Sequence, residues 1–285
     1  MIKKISVNTI QKMKNNNEKI SMITAYDCSL AKYADEAGID MVLVGDSVAM
    51  VILGYDSTCA IGMDEMKIFT KAVSRGSKRS MIVADMPFMS VTPNISQSVL
   101  NAGELIRSGA SAVKIEGASD SVIETIKACV NSGIPVCAHL GFTPQFLNTI
   151  GGYNVQAKTF EATMKLLEDA KKVQDAGAFC VVLEMVPEES AKYVTDSINI
   201  PTIGIGAGRY TSGQVLVSDD VLGKYSEFKP KFVRRYADMK SLISEGIKAY
   251  NDDVKSGAFP SEDEIFHVED DVKLQLNSLD IVEVE

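Results

Sequence analysis

A repeated unit of helix, glycine, short apolar strand and polar residue constrains this chain more than any other feature. It recurs five times, and the polar residue follows the glycine by 8, 9, 7, 6 and 7 positions. The glycine and polar pairs are Gly38 and Asp46, Gly76 and Asp85, Gly109 and Glu116, Gly133 and His139, and Gly177 and Glu184. Glycine directly after a helix takes the left-handed conformation that satisfies the last carbonyls. The continuous apolar run that follows is typical of a strand covered on both faces of a parallel sheet.

The rest of the chain supplies further strands at the same spacing. Lys19–Thr24 is predicted as the first strand, Ile200–Ile205 as the seventh and Gln214–Val217 as the eighth. Eight strand–helix units in about 250 residues have the size of a TIM barrel. The predicted fold class is therefore α/β, a (β/α)8 barrel. An open doubly wound sheet is the alternative, but the even spacing and the absence of a G-x-G-x-x-G motif after the first strand count against it.

The two ends of the chain extend the barrel. Ser6 is a candidate cap for a short amphipathic helix that closes the barrel bottom. A C-terminal helix is predicted over Val233–Lys255, with Gly257 ending it. Because no linker divides the chain earlier, we predict one catalytic barrel domain over residues 1–260 and an acidic tail over residues 261–285.

Charge is concentrated in that tail. The net charge is −9, but residues 262–285 contain nine acidic residues and one lysine, which leaves −8 in the tail and −1 in the remainder. The body of the chain therefore gives no electrostatic reason to expect nucleic-acid or membrane binding. The tail is either solvated and partly disordered or docked on a neighbour through its apolar residues. Those apolar residues are Val272, Leu274, Leu276, Leu279 and Ile281.

The sequence also predicts a cytoplasmic protein. No apolar run approaches the length that spans a bilayer, and the N-terminus lacks the apolar segment and cleavage site of a secretory signal. The five cysteines form no C-x-x-C pair, which argues against a disulfide framework or thiolate zinc site and favours the reduced cytosol.

The polar residues at the strand ends are the candidate site, because catalysis in barrels occurs where these ends converge. Strands two to six deliver Asp46, Asp85, Glu116, His139 and Glu184, with Ser47 next to Asp46 and Lys114 on the face of Glu116. Taken singly, an Asp or Ser after a strand is more often the cap of the next helix, and a lone His is more often structural. Together, four carboxylates would repel each other unless a cation lay among them.

A magnesium site resolves that repulsion. Lys114 offsets one charge, and Mg²⁺ would offset two more through the oxygen ligands it prefers. With only two histidines and no cysteine cluster, zinc is disfavoured. Such a site suits proton abstraction next to a carbonyl: the metal chelates a 2-oxo acid, Lys114 and Ser47 hold the same oxygens, and Glu184 acts as the base.

Two segments stay open to two interpretations. Gly204–Gly208 follows the seventh strand and is either a tight glycine turn or a backbone phosphate site. Gly141–Lys158 is too long for a simple connection after strand five. It is either a substrate-covering loop or a packing insertion, and its place on the catalytic face favours the loop.

Ordered motifs from Thr24 to Glu264 make the chain resemble the ketopantoate hydroxymethyltransferase family. The motifs are TAYD (24–27), VGDS (44–47), GYDST (54–58), ADMPF (84–88), VKIEG (113–117), HLGFTPQ (139–145), GGYNVQ (151–156), IGIGAG (203–208) and KPKF (229–232). So many motifs in order are far more specific than any one of them.

The resemblance implies a reaction and a set of roles. It implies Mg²⁺ held by Asp46, Asp85 and Glu116, with 3-methyl-2-oxobutanoate contacted by the two aspartates, Ser47 and Lys114. It implies that Glu184 removes the C3 proton and that the enolate attacks the one-carbon unit of 5,10-methylenetetrahydrofolate, giving 2-dehydropantoate in pantothenate biosynthesis. His139 matches a family active-site histidine that either orients by hydrogen bonds or transfers a proton. It also implies a homo-oligomer, often a decamer.

The chain departs from the family pattern at two positions. Phe69 stands where the family usually has a histidine, and Ala157 stands where the family's V-Q-G motif has glycine. Because neither lies among the metal or base positions, these departures bear on the folate loop or subunit contacts rather than on activity.

Two competing functions follow from the same residues. Lyases and mutases of the phosphoenolpyruvate mutase and isocitrate lyase kind also bind Mg²⁺ and an enolate in a barrel, but their K-x-C-G lid motif is missing after strands four and five. A non-catalytic barrel that serves in binding or assembly would lack the base or the ligands, whereas every expected group is present.

Overall fold

The computed structural model describes residues 3–92, 94–224 and 229–279. Within these residues eight parallel strands pair in sequence order, and β8 pairs with β1 to close a barrel. The strands are β1 Ile20–Thr24, β2 Met41–Val44, β3 Met81–Asp85, β4 Ala112–Glu116, β5 Val136–Gly141, β6 Cys180–Glu184, β7 Thr202–Ile205 and β8 Gly213–Leu216. The predicted (β/α)8 barrel is confirmed.

The helices surround this barrel or follow it in the chain. They are α1 Val7–Asn15, α2 Cys28–Glu36, α3 Val48–Val51, α4 Met63–Gly76, α5 Ile95–Arg107, α6 Asp120–Asn131, α7 Leu147–Ile150, α8 Phe160–Asp175, α9 Glu188–Ser197, α10 Ser218–Val221, α11 Met239–Ser256 and α12 Asp270–Asn277. Short 3-10 turns span Thr58–Ala60, Pro144–Phe146 and Glu262–Glu264. Across the described ranges, no helix is both long and apolar enough to cross a bilayer.

Alternation along each strand separates two hydrophobic cores. In β3, for example, Met81 and Val83 belong to the core inside the barrel, whereas Ile82 and Ala84 belong to the core under the helices. Because side chains alternate with a period of two, the next residue on the inner face is Asp85. The same alternation makes a polar residue the last inward-facing position of several strands.

The N-terminal helix has the predicted place and cap. The Ser6 hydroxyl accepts a hydrogen bond from the amide of Thr9, at 3.4 Å. Ile10 and Met13 are buried in the same core as the inward-facing strand residues. The helix therefore adds its apolar face to the barrel interior, as the sequence predicts.

The barrel has the predicted eight strands, but its helical connections are reduced near the end of the chain. Residues 206–212 join β7 directly to β8 without a helix, and among the residues described between β8 and α11 the four-residue α10 is the only helix. Gly206 and Gly208 have φ values of +62° and +73°, which interrupt any helix there. The Lys19 ammonium donates to the carbonyls of Arg209 and Thr211 and ties this connection to the start of β1.

One of the five repeat glycines also differs from the prediction. Gly38, Gly109, Gly133 and Gly177 have the expected positive φ after a helix. Gly76, however, is the last residue of α4. A Cβ there would lie 2.1 Å from the backbone oxygen of Cys28, so glycine is required by the close approach of α2 rather than by a left-handed cap.

The C-terminal helix starts later than predicted. It spans Met239–Ser256 rather than Val233–Lys255, because Asp238 caps it by accepting a hydrogen bond from the amide of Ser241. Gly257 ends it with a φ of +73°, as predicted. Met1–Ala237 and Asp238–Glu285 form separate compact units. The predicted boundary at residue 260 between catalytic domain and tail stays a prediction.

The acidic tail contains a helix, α12, whose described side chains are exposed. Val272, Leu274, Leu276 and Leu279 are among the exposed residues. Ile281, which the sequence also offered for docking, lies outside the described residues. Both interpretations of the tail therefore stay predictions.

Candidate functional site

The residues predicted from the strand ends line one cavity. Asp85, Glu116 and Glu184 end β3, β4 and β6, and Asp46 lies two residues after β2. The cavity measures ≈ 110 Å³, and Ser47, Lys114 and His139 line it as well. This is below the roughly 300–1,000 Å³ of pockets for drug-sized ligands, so the cavity suits a small acid.

His139 occupies a different place in its strand from the one predicted. It lies inside β5 rather than after it, because Leu140 and Gly141 continue the pairing with Leu183 and Glu184 of β6. The side chain still points into the cavity with the other site residues, since it alternates with Ala138 and Leu140 in the outer core.

Lys114 is the positive centre of the site. Its Nζ lies 3.2 Å from Asp85 Oδ1, 3.5 Å from Glu116 Oε1 and 3.2 Å from His139 Nδ1. Although burial alone would lower the pKa of Lys114, the neighbouring carboxylates outweigh burial and raise it. Lys114 is therefore a fixed cation in the cavity wall.

The three carboxylates near Lys114 are not equally compensated. Burial and repulsion from Asp85 and Glu116 raise the pKa of Asp46 well above its ordinary value. Burial also raises the pKa of Asp85 despite the nearby Lys114. In Glu116 burial is outweighed by Lys114 and His139, so the pKa of that carboxyl is lowered. Nearby positive groups therefore stabilise the charged form of Glu116, whereas they do not fully stabilise the charged forms of Asp46 and Asp85.

His139 joins this cluster to Glu184. Its Nδ1 lies 3.3 Å from Glu116 Oε1, and its Nε2 lies 3.2 Å from Glu184 Oε2, an ion-pair distance without hydrogen-bond geometry. Burial and Lys114 lower the pKa of the imidazole, but the Glu116 and Glu184 carboxylates outweigh them and raise it to about 9. The Glu184 side chain is 16% exposed, against 2–5% for Lys114, Asp85, Glu116 and His139. Glu184 is therefore the carboxylate most accessible from the cavity.

Ser47 does not cap the helix that follows it. It occupies the N-cap position of α3 but makes no capping hydrogen bond. Its hydroxyl lies 2.8 Å from the hydroxyl of Tyr26, which is buried. Ser47 is therefore not a helix cap. Tyr26 is a further residue next to the site, which the sequence did not indicate although it lies in the TAYD motif.

Gln145 is a second residue that the sequence analysis missed. Its side-chain Nε2 donates to Asp46 Oδ2 at 2.7 Å and to the carbonyl of Met86 at 2.9 Å. Its backbone amide donates to Glu116 Oε2 at 3.1 Å. The only sequence signal is its place at the end of HLGFTPQ, within the long segment after β5. That segment therefore reaches the site through its first turn.

The charge and donor set fit a divalent cation. With all four carboxylates ionised and His139 protonated, Asp46, Asp85, Glu116 and Glu184 exceed the two cations by two charges. One bound Mg²⁺ would balance these and favour ionisation of the two aspartates, whose pKa values are raised without it. Asp85 Oδ1 is buried and lies 3.2 Å from Lys114 Nζ, but it accepts no well-directed hydrogen bond from any described residue. In the parts of the chain that the structure describes, no three His, Cys, Asp or Glu side chains are arranged as a complete metal site. The three predicted ligands, Asp46, Asp85 and Glu116, are therefore not preformed as a three-carboxylate metal site among the described residues, although all three line the cavity.

The glycine-rich segment after β7 has the geometry of a turn. A Cβ on Gly206 would lie 2.7 Å from the Phe232 ring, and one on Gly208 would lie 2.5 Å from Glu188. The amide of Arg209 already donates to Glu188. These contacts favour the glycine turn over a phosphate site, since the amide beside the turn is engaged and no helix starts there.

Neither of the two residues that depart from the family pattern lines the cavity. Phe69 is on α4 and packs against the core under the helices. Ala157 has a left-handed φ of +53°, a conformation that glycine adopts more easily. The backbone at Ala157 is thus the one that the V-Q-G motif would favour.

Comparison with known proteins places most of the chain beside one family. The model of the family described as ketopantoate hydroxymethyltransferase matches residues 4–262. A 3-methyl-2-oxobutanoate hydroxymethyltransferase of Clostridium novyi is 52% identical over 270 residues, covering 94% of this chain and 98% of that protein. One from Caldicellulosiruptor bescii is 52% identical over 260 residues, covering 91% and 98%.

Solved structures share the fold at low sequence identity. A 2,3-dimethylmalate lyase of the phosphoenolpyruvate mutase and isocitrate lyase superfamily matches with a TM-score of 0.58 and 16% identity, covering 95% of this chain and 97% of that one. A phosphonopyruvate hydrolase in complex with oxalate and Mg²⁺ matches with a TM-score of 0.59 and 11% identity, covering 95% of each. These likenesses support the barrel and carry no argument about chemistry.

Proposed function

This chain belongs to the ketopantoate hydroxymethyltransferase family, and we propose from that membership that it transfers a hydroxymethyl group to 3-methyl-2-oxobutanoate, giving 2-dehydropantoate. We also propose that 5,10-methylenetetrahydrofolate is the donor. The reaction would then be the first committed step of pantothenate and coenzyme A biosynthesis. The observation that carries the chemistry is the separation of one accessible carboxylate, Glu184, from the buried carboxylates around Lys114.

Glu184 is the proposed base. The C3 hydrogen of a 2-oxo acid lies next to a carbonyl, and its removal needs a base within hydrogen-bond reach. Lys114 pairs with Asp85 and Glu116, whereas Glu184 pairs with His139. His139 therefore holds the Glu184 carboxylate towards the cavity, and the C3 proton moves to a Glu184 oxygen as the enolate forms.

The buried carboxylates would hold the metal. Asp46, Asp85 and Glu116 are the proposed Mg²⁺ ligands, and the uncompensated charge on the two aspartates supports their place in that set. Bound there, Mg²⁺ supplies a Lewis acid that stabilises negative charge on the 2-oxo oxygen.

Lys114 and Ser47 anchor the substrate. The Lys114 ammonium and the Ser47 hydroxyl line the cavity and can donate to the carboxylate and 2-oxo oxygens. Asp46 and Asp85 line the same wall. For the balance to close, water would add to the methylene carbon of the folate as its two C–N bonds break, so that the carbon leaves as formaldehyde and each folate nitrogen keeps one of the two hydrogens of water. The enolate carbon would then attack that formaldehyde carbon, its C=O π pair would move to the oxygen, and this oxygen would take the proton held by Glu184.

The test of this mechanism is deuterium exchange at C3. Purified protein and 3-methyl-2-oxobutanoate are incubated in deuterated water with and without Mg²⁺, and exchange is followed by proton NMR. We expect metal-dependent exchange that falls by about 10²–10⁴-fold in Glu184→Gln, the range for loss of a general base. Glu189→Gln, an exposed carboxylate on α9, is the matched control and should leave exchange unchanged.

The outcomes separate the proposed function from its competitors. Absence of exchange in wild-type protein that binds the substrate contradicts the enolisation. Formation of 2-dehydropantoate only when 5,10-methylenetetrahydrofolate is added identifies the donor. Turnover of phosphonopyruvate or isocitrate without folate would instead favour a lyase or mutase. The decamer implied by the family resemblance stays a prediction, which sedimentation velocity tests.

A further inference from the structure

Gln145 links two of the proposed metal ligands from a loop. The side-chain amide has two hydrogens, and the structure engages Nε2 with Asp46 Oδ2 and the Met86 carbonyl. The backbone amide of the same residue donates to Glu116 Oε2. One loop residue therefore contacts the carboxylate of Asp46, which follows β2, and that of Glu116, which ends β4.

The loop that carries Gln145 is itself fixed in place. Pro144 begins the 3-10 turn of residues 144–146, where its fixed φ suits the first position. The Cys59 thiol donates to the Gln145 carbonyl at 3.6 Å and joins this turn to the turn at Thr58–Ala60. The Gln145 backbone is thus held on both its donor and its acceptor side.

The contacts of Gln145 fix the orientation of the Asp46 carboxylate. Turning the amide over would place its oxygen against Asp46 Oδ2 and the Met86 carbonyl, both of which are acceptors. Met86 is 1% exposed, so its carbonyl has little access to water as a replacement partner. Asp46 Oδ2 is therefore occupied by a neutral donor of defined orientation, which leaves Oδ1 for another partner.

We infer that Gln145 is a positioning residue that holds Asp46 and Glu116 in the arrangement that binds the divalent cation, and thereby sets the metal affinity. The inference rests on the proposed function, because it needs a metal at these carboxylates. Gln145 acts through the ligands rather than on the substrate. Hydrogen-bond partners of metal ligands commonly have this effect, and their loss costs about 10–100-fold in metal affinity or activity.

Metal binding without substrate is the direct measurement. Mn²⁺ is titrated into metal-free protein, and the free ion is followed by its electron paramagnetic resonance signal. Gln145→Met keeps the length of the side chain and removes both donors, and we expect the Mn²⁺ Kd to rise about 10–100-fold. Gln97→Met is the matched control, because Gln97 donates to Asn101 on the exposed face of α5. We expect its Kd to equal that of the wild type.

A double-mutant cycle tests whether Gln145 acts through Asp46. Asp46→Asn, Gln145→Met and the double variant are titrated in the same way. If Gln145 positions Asp46, the Gln145→Met substitution should change Kd less in the Asp46→Asn background than in the wild type. Gln145→Asn keeps the amide on a shorter side chain, should also weaken binding, and serves if the methionine variant does not fold by circular dichroism.

Each outcome has a distinct meaning. Weaker binding in both Gln145 variants with a smaller effect in the Asp46→Asn background supports the role. Wild-type binding of Mn²⁺ together with unchanged Kd in the folded Gln145 variants overturns the role of Gln145 and leaves the proposed function standing. Absence of Mn²⁺ binding in the wild type overturns the metal site of the proposed function and this role with it.

Discussion

His139 and Glu184 meet across neighbouring strands, with imidazole Nε2 3.2 Å from the Glu184 carboxylate. The same imidazole contacts Glu116 through Nδ1, so it spans the distance between the proposed base and a proposed metal ligand. Glu184 and Glu116 contact opposite nitrogens of the same imidazole ring. The position of Glu184 therefore depends on His139, which is itself held by the proposed metal ligand Glu116. The pair thus couples the orientation of the base to the carboxylate cluster.

The first prediction concerns this pair. His139→Asn removes the partner of Glu184, and we expect C3 deuterium exchange to fall by about 10–100-fold, less than in Glu184→Gln. Because His139 is proposed to act through Glu184, the double variant should be no slower than Glu184→Gln alone. Exchange rates measured by NMR give all three values.

The chain contains a matched control for that substitution. His267 pairs with Glu262 at 2.8 Å on the exposed surface of the C-terminal unit. His267→Asn should leave exchange at the wild-type rate. The contrary outcome is a double variant whose exchange rate is lower than that of Glu184→Gln by the same factor that His139→Asn alone lowers the wild-type rate. That result would show that His139 has a role independent of the base.

The second prediction concerns the anchoring serine. Tyr26→Phe removes the 2.8 Å contact to the Ser47 hydroxyl, and one hydrogen bond contributes about 0.5–1.5 kcal/mol. We expect KM for 3-methyl-2-oxobutanoate to rise about 2- to 10-fold with kcat nearly unchanged, because Ser47 binds substrate and does not move the proton. Tyr33→Phe, at a side chain that is 63% exposed, is the control and should change neither constant. A fall in kcat with KM constant would contradict the binding role.

The alternation of apolar residues along the chain predicts most of the barrel, because it follows which side chains are buried on each face of a strand. The inward positions of β4 follow from alternation alone, so the sequence suffices to place Lys114 and Glu116 on one face of their strand. The missing helix between β7 and β8 was not predicted, because strand spacing does not reveal what joins the strands. The sequence places the start of α11 too early, at Val233, because the apolar periodicity includes Tyr236. The observed helix begins at Met239, after its cap Asp238.

The part of the site that the sequence did not reveal consists of polar partners from loops. Gln145 reaches Asp46 across 99 positions of sequence, and Tyr26 reaches Ser47 from the residues after β1. Neither has a periodicity or spacing that indicates its partner, because loop geometry depends on tertiary contacts such as that between Cys59 and Gln145. Groups that belong to the glycine–strand repeat or directly follow it were therefore predictable, whereas Gln145 and Tyr26, which lie outside that repeat, were not.

The third prediction is a pH dependence of stability at Asp35. Burial raises the pKa of this carboxyl, but hydrogen bonds from the amides of Ser80, Lys78 and Arg79 and from the Ser77 hydroxyl outweigh burial and lower it to about 2. An unfolded aspartate has a pKa of about 3.9. Because the folded pKa is the lower one, the carboxylate stabilises the fold above about pH 4, and that contribution is lost as the pH falls towards 2.

Asp35→Asn tests that dependence. At pH 6 we expect the variant to be less stable than the wild type by about 1–2 kcal/mol, because charge-assisted hydrogen bonds are lost. At pH 3 the difference should be smaller, since the wild type has begun to lose the contribution. Urea unfolding at both pH values measures it, with the exposed Asp175→Asn as control. A difference that grows on acidification would reverse the assigned sign.

The fourth prediction concerns the turn after β3. The amide of Ser90 donates to the carbonyl of Pro87, and Met89 has a φ of +63° at the third position of this four-residue turn. A type II turn needs positive φ there and favours glycine. A left-handed conformation costs an L-residue about 1–2 kcal/mol, against about 0.5–1 kcal/mol for the greater flexibility of glycine in the unfolded chain. Because Met89 is 64% exposed, its replacement sacrifices little buried surface.

Met89→Gly should therefore stabilise the protein by about 0.5 kcal/mol, the difference between those two costs. Met164→Gly is the matched control, because Met164 is a partly exposed methionine inside α8. There glycine should destabilise by about 1 kcal/mol, since a helix interior gains nothing from positive φ. Urea unfolding of the three proteins at one pH gives both values. Destabilisation of equal size in the two variants would show that the Met89 backbone carries no strain that glycine relieves.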